Sequence, residues 1–386
     1  MRGVTLTREN PFRTRSVLQL AVISVVIGVS TAFALPFGSL FLTREVGVSP
    51  LALGTFMFLS PVASVVASTI IGKLSDTRVQ RRRVMILGGL AGLLGYALFA
   101  VLRDYWILLA ASVTFVAIAS SLLPQLFAYG RQLAGESMVV SVLRTLISVA
   151  WVAGPPLAAL IVSLAGFTGL YVVTALLYAL VAGLAATLPD VERAPTLSNE
   201  GGGGMLLAAT SFTFLQGSTA LAVSGLPLFV IEVLRGTEGE AGLVLGLCAA
   251  LEIPMMLGLG MLARRGDLHR IVLAGGAIAV TYHVTMLLTQ NIWHVAALQL
   301  LHAAGISAIM GVGISYFQSL APDRPGHATT VFTNSATAGG MIAGPLLGVA
   351  QVLGFRSTYA ISFGMCLLGL VLLVVVGVTR RSRPRP

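Results

Sequence analysis

Apolar residues fall in twelve long stretches, roughly 17–42, 50–72, 84–102, 105–128, 137–163, 168–188, 205–231, 239–262, 271–289, 292–318, 327–353 and 355–379. Each is close to the ~20 residues that carry a helix across ~30 Å of hydrocarbon. The stretches are continuous rather than alternating, which predicts helices and not the strands of a barrel. The pattern therefore describes an all-α membrane protein with twelve transmembrane helices. The longest polar interruption is Pro189–Gly204, reading PDVERAPTLSNEGGGG. Two prolines, an acidic cluster and four consecutive glycines form a flexible linker. It leaves six stretches on either side, so residues 1–188 and 205–386 are expected to form two six-helix bundles joined by the linker 189–204.

The two halves echo each other. Arg83-Val84-Met85-Ile86-Leu87-Gly88-Gly89 returns as Arg270-Ile271-Val272-Leu273-Ala274-Gly275-Gly276, an offset of 187. Gly154-Pro155-Pro156-Leu157 returns as Gly344-Pro345-Leu346-Leu347 at 190, and Leu35-Pro36 as Leu226-Pro227 at 191. Gln125 falls near Gln318 at 193. Four echoes in one order point to duplication. A membrane chain of parallel repeats is the signature of a secondary transporter with its site at the repeat interface.

Composition agrees with the pattern: 56% of residues are hydrophobic and only 10% charged, against about 25% charged in soluble domains. The formal charge of +10 is a topology signal rather than a mark of nucleic acid. With an even number of spans the termini share a side, and nineteen of the 24 Lys and Arg fall there, including Arg81, Arg82, Arg83, Arg264, Arg265 and Arg270. The opposite side carries Arg44, Arg103, Arg235 and Arg356, while Arg144 lies inside a stretch. The positive-inside rule then makes both termini cytoplasmic. The first apolar run is too long for a signal-peptide core. Cys248 and Cys366 both lie in apolar stretches, which suggests neither a disulfide framework nor a metal site, and no P-loop is present. No cofactor is expected, and no enzyme chemistry.

Gly72-Lys73-Leu74-Ser75-Asp76-Thr77-Arg78-Val79-Gln80-Arg81-Arg82-Arg83 resembles the loop signature of the major facilitator superfamily: a Gly, an Asp four residues later, then a basic cluster. It departs from that signature at Thr77, where a basic residue usually follows the Asp, and by one extra residue before the arginines. Five further segments are similar to the bacterial sugar efflux transporter family of that superfamily: Ser39–Gly47, Leu123–Ala128, Ala150–Ala158, Leu251–Pro254 and Thr329–Ser335. The resemblance implies a major facilitator fold in a bacterial inner membrane. It also implies proton-driven export of sugars such as lactose, glucose or galactosides, by a protein able to work as a monomer. Gly154-Pro155 resembles the exporter signature of the fifth span, without its upstream Gly (Ile147 stands there). A proline bend beside a close-contact glycine makes a compliant segment. The resemblance also makes Asp76, Arg82 and Arg83 gating candidates on the cytoplasmic side.

An ionisable side chain within the bilayer is a functional candidate by default. Glu252 lies mid-stretch and is the candidate proton carrier and a sugar acceptor; a permanently neutral packed carboxyl is the competing placement. Arg144 carries a lasting charge, so it faces a cavity or extends to the surface. Ser148 and Trp151 share its helix face, and guanidinium, hydroxyl and indole together suit a polyhydroxylated ring. Asn334 lies ten residues before Gly344, as Arg144 lies ten before Gly154, and joins the candidate site. Gln125, with Tyr129, lies toward the cytoplasmic end of its stretch, either lining a vestibule or bonding a neighbouring helix. The competing function is a multidrug exporter of the same fold, whose site would be apolar and aromatic with an acidic residue.

Overall fold

The computed structural model describes residues 11–77, 79–134, 137–190, 205–322 and 324–381. Every regular element among them is helical. Among the described residues eleven helices are long and apolar enough to cross a membrane: α1 Arg15–Glu45, α2 Pro50–Ser75, α3 Arg81–Val101, α4 Tyr105–Leu133, α5 Val142–Ala186, α6 Leu206–Val233, α7 Glu238–Ala263, α8 Leu268–Leu287, α9 Ile292–Leu320, α10 Ala328–Leu353 and α11 Ser357–Thr379.

The difference from twelve sequence stretches lies wholly in α5. Its 45 residues would make a rod of about 67 Å at 1.5 Å per residue, twice the thickness of the hydrocarbon. At Gly166 the backbone leaves the helix, with φ 63° and ψ −173°, a conformation open to a residue without Cβ. The chain turns back there. Thr168 accepts a hydrogen bond from Arg103 at the α3–α4 connection (2.8 Å), whereas Ala186 meets Arg82 at the opposite end of α3. Taking the two limbs as separate crossings restores twelve.

Short connections are closed by side-chain caps. Thr237 and Glu240 form a reciprocal capping box that starts α7. Asp104, Asp267 and Asn291 cap α4, α8 and α9. Each satisfies helix N–H groups that would otherwise lack partners where the chain re-enters the apolar phase.

Glycine sets how closely the helices approach, as expected where packing and not the hydrophobic effect joins them. Within the first half, a Cβ at Gly92 would collide with the Tyr178 ring, and one at Gly154 with the Ala32 methyl. The matching contact of the second half brings Gly339 against Gly217. Two contacts of the same kind join the halves. The first limb of α5 meets α7, where Gly242 and Gly246 lie against the carbonyls of Pro155 and Val152. In the same way α10 meets α2, where Gly344 and Gly348 lie against Met57 and Pro50. The repeated Gly-Pro segments thus occupy equivalent places in a two-fold arrangement.

Candidate functional site

The halves are closed at the end opposite the 189–204 linker. Arg44 Nε lies 2.8 Å from Glu232 Oε1 and Arg44 Nη1 3.9 Å from Glu238 Oε1. Ser39 donates to the Ser224 carbonyl at 2.6 Å, and Gln351 to the Val48 carbonyl at 3.3 Å. With the four glycine contacts, these seal the far side.

Beneath that seal is a cavity of about 450 Å³ lined from both halves, within the ~300–1,000 Å³ usual for small-molecule sites. Trp151 enters it from α5, Tyr96 from α3 and Tyr171 from the second limb of α5. Ser60 and Ser64 enter from α2, and Ser224 faces them from α6. The rest of the wall is mainly apolar, including Phe56, Met57 and Phe99 on one side and Ala343 and Leu347 on the other. Tyr96 and Tyr171 are held by aromatic packing, their rings 6.1 Å apart at 15°, with Tyr178 stacked on Tyr96 at 5.2 Å. Ser112 donates to Ser60 at 2.7 Å, fixing that hydroxyl. Aromatic faces with a few placed hydroxyls can pack a sugar ring's C–H face and bond its edge.

Of the residues singled out from sequence, Trp151 is in the cavity wall. Arg144 and Ser148 are exposed, seven and three residues earlier on α5. At 3.6 residues per turn they share the stripe of Trp151, one to two turns nearer the linker end. The Arg144 guanidinium sits 5.3 Å from the centroid of Phe127, a cation–π contact. Asn334 is exposed on α10, between a third and a half of a turn off the line of Gly340, Ala343 and Leu347 that faces the cavity. Thr333, seven residues before Gly340, lies nearer that line.

Glu252 is half-buried on α7 and turned into its own half. Cys248 donates its thiol to Glu252 Oε1 at 3.5 Å and lies 3.6 Å from His302 Nδ1. His302 stacks on Tyr282 at 4.2 Å and 4°, and its Nδ1 is 3.3 Å from Gln299 Oε1. Ser307 donates to the Glu252 carbonyl at 3.3 Å. Among the described residues Glu252 and Arg144 form no ion pair in this conformation.

Gln125 is buried in the first half, away from the cavity. It donates to Ser75 at 2.9 Å and accepts from Arg81 at 3.0 Å, tying α2, α3 and α4 together at the linker end. Beside it, Arg82 bonds the Ala186 carbonyl and pairs with Asp190 at 3.5 Å. Arg83 is exposed. The Asp76 side chain lies outside the described residues. Gly154 and Pro155 are buried where α5 meets α1 and α7. Among the described residues no group of His, Cys, Asp and Glu has the arrangement of a metal site.

Sequence reasoning missed Tyr96, Tyr171, Ser60 and Ser64. The only available signal was their being polar or amphipathic within apolar stretches, which many packing residues share.

Comparison with known proteins identifies the architecture. The model of the Major Facilitator Superfamily matches residues 20–282 and 206–386. Sugar efflux transporter A of Dickeya chrysanthemi is 34% identical over 358 residues, covering 89% of this chain and 91% of that protein. Sugar efflux transporter A of Escherichia coli is 32% identical over 353 residues, covering 88% and 90%. Among solved structures, a bacterial homologue of the human lysosomal transporter Spinster, inward-facing and occupied, superposes with a TM-score of 0.79 at 13% identity. That match covers 98% of this chain and all of the other, and at such low identity it speaks for the fold alone. The chain belongs to the Major Facilitator Superfamily, a family of membrane transporters, and within it to the family of these sugar efflux transporters.

Proposed function

We propose that the chain exports sugars or sugar analogues, such as lactose, glucose and galactosides, from the cytoplasm across the inner membrane in exchange for protons. The observation that carries this reading is the cavity between the halves, with Trp151, Tyr96 and Tyr171 beside serine hydroxyls, in a chain whose relatives are sugar efflux transporters. Residues 1–188 and 205–386 act as two rocking bundles, the linker 189–204 and both termini lying on the cytoplasmic side, in keeping with the nineteen basic residues there. With the far end sealed, the described conformation faces the cytoplasm. A single chain contains the whole cavity, so a monomer suffices.

In this reading a sugar enters past Arg144 and Ser148 and seats on Trp151. Glu252, turned toward Cys248 and His302 in the conformation described, takes up and gives back the proton. When deprotonated it draws on Arg144 as the halves rock, displacing the sugar. Asp76, Arg82 and Arg83 form the cytoplasmic gate, and Gly154-Pro155 the compliant contact on which the bundles move. Arg82, bound to Ala186 and Asp190, already ties the start of α3 to the chain leading into the linker.

Two variants test the roles. Glu252→Gln in proteoliposomes is expected to lose proton-driven accumulation of labelled sugar and keep sugar-for-sugar exchange. Arg144→Ala is expected to lose both. Accumulation by Glu252→Gln with normal pH dependence contradicts the coupling role.

The mainly apolar wall favours a second reading, export of lipophilic compounds. The exposed Arg144 on the approach opposes it for cations, because like charges repel.

A further inference from the structure

On the outer face of the second half, α7 and α8 part toward the linker end, and α9 floors the gap. The result is an open groove of about 530 Å³. Met255 and Leu259 of α7 and Ala274 and Ile278 of α8 form its walls, and Ala304 and Ala308 of α9 its floor. Gly258 widens it, since nothing lies within 4 Å of the point where a Cβ would sit. Met255 comes nine residues after Gly246, roughly two and a half turns, and so faces away from the α5 contact that Gly246 makes. The groove therefore opens to the membrane and not to the space between the halves.

Its mouth is basic. Arg270 forms part of the wall, and Arg264 and Arg265 are exposed on the loop just before it. Among the described residues one acidic group is paired with them: Asp267, 3.5 Å from Arg270 Nε. Three arginines against one aspartate leave two positive charges in excess at the membrane surface. A purely apolar groove would take any lipid tail. Arginines at its end add a headgroup requirement, because a guanidinium fork bonds phosphate oxygens and basic residues near the surface attract anionic lipid.

We propose that this groove is a binding site for an anionic phospholipid of the linker-side leaflet. One acyl chain lies along Ala304 and Ala308, and the headgroup phosphate is held by Arg270 together with Arg264 and Arg265. Met255 and Leu259 come three and seven residues after Glu252 on the same helix, so the bound lipid steadies the segment that presents that carboxyl.

The test uses tryptophan quenching by brominated lipids in the purified full chain. A Met255→Trp variant is reconstituted with brominated phosphatidylglycerol or brominated phosphatidylcholine over the same series of mole fractions, and the wild-type signal is subtracted. Phosphatidylglycerol is expected to quench at several-fold lower mole fraction. Arg270→Gln should reduce that preference about fivefold, the factor equivalent to ~1 kcal/mol per basic residue. Leu262→Trp repeats the measurement should Met255→Trp fail to fold. A Val371→Trp reporter on the exposed face of α11 should show no preference. Equal quenching by the two lipids, an unchanged preference after Arg270→Gln, or the same preference at Val371 would each overturn the proposal.

Discussion

Arg44 of α1 and Glu232 of α6 meet across the seam between the halves, Nε to Oε1 at 2.8 Å, at the end away from the linker. In sequence they are 188 residues apart, and each stands at the far end of the first helix of its half. Glu238 at the start of α7 approaches the same guanidinium at 3.9 Å. The ionic part of the seal is thus one cation shared by two carboxylates, beside the Ser39–Ser224 and Gln351–Val48 hydrogen bonds and above the glycine contacts that bring the backbones together.

Removing that cation should loosen the seal without dissolving it. Both side chains are more than 30% exposed, so the pair stabilises closure by only ~0.2–1 kcal/mol. Arg44→Ala should therefore raise the far-end-open population by no more than about fivefold. Spin labels on exposed Leu51 and Leu353 report it as a longer-distance component, and the exchange Arg44→Glu with Glu232→Arg should largely reverse it.

The glycine contacts are expected to matter more. A Cβ at Gly246 would stand 2.7 Å from the Val152 carbonyl oxygen, and one at Gly348 2.4 Å from that of Pro50. Backbone cannot yield as a side chain can. Gly246→Ala and Gly348→Ala should each cut sugar transport more than tenfold, with normal expression and open far-end label distances. Gly364→Ala, where nothing lies within 4 Å, should leave transport unchanged; an equal loss there would refute the distinction.

Gln125 should behave as a structural residue. Gln125→Ala removes two hydrogen bonds, the one Gln125 donates to Ser75 and the one it accepts from Arg81, and should destabilise the chain by ~1–3 kcal/mol, read as a lower unfolding temperature in detergent. The sugar Kd of the folded protein should not move. A raised Kd at unchanged unfolding temperature would return Gln125 to the binding site.

For the cavity, Trp151→Ala should weaken sugar binding about tenfold, equivalent to ~1.4 kcal/mol. Ser60→Ala removes one hydroxyl and should weaken it by a smaller factor, in line with ~0.5–1.5 kcal/mol per hydrogen bond. Equilibrium dialysis with labelled sugar measures both, and an unaffected Kd in Trp151→Ala would move the site elsewhere.

The sequence made the spans legible because hydrocarbon thickness imposes a length on every crossing helix. Duplication made the Gly-Pro pairing legible, and the structure places both copies where one half meets the other. Which side of each helix faces inward was far harder to read. Lipid is as apolar as a helix interface, so the amphipathic stripe that orients a soluble helix is missing. Tyr96 and Tyr171 went unnoticed for that reason. Asn334 shows the limit of counting: it is as far from Gly344 as Arg144 is from Gly154, yet on α10 it stands a third to half a turn from the residues that line the cavity. Gln125 was equally ambiguous until Arg81 and Ser75 were seen on either side of it.

The most direct measurement follows solute movement itself. Purified protein in liposomes, under an imposed pH gradient, is offered labelled lactose, labelled glucose and a labelled lipophilic cation. The account predicts gradient-driven movement of at least one sugar, opposite in direction to protons and abolished when the gradient is collapsed. Movement of the cation alone would contradict it.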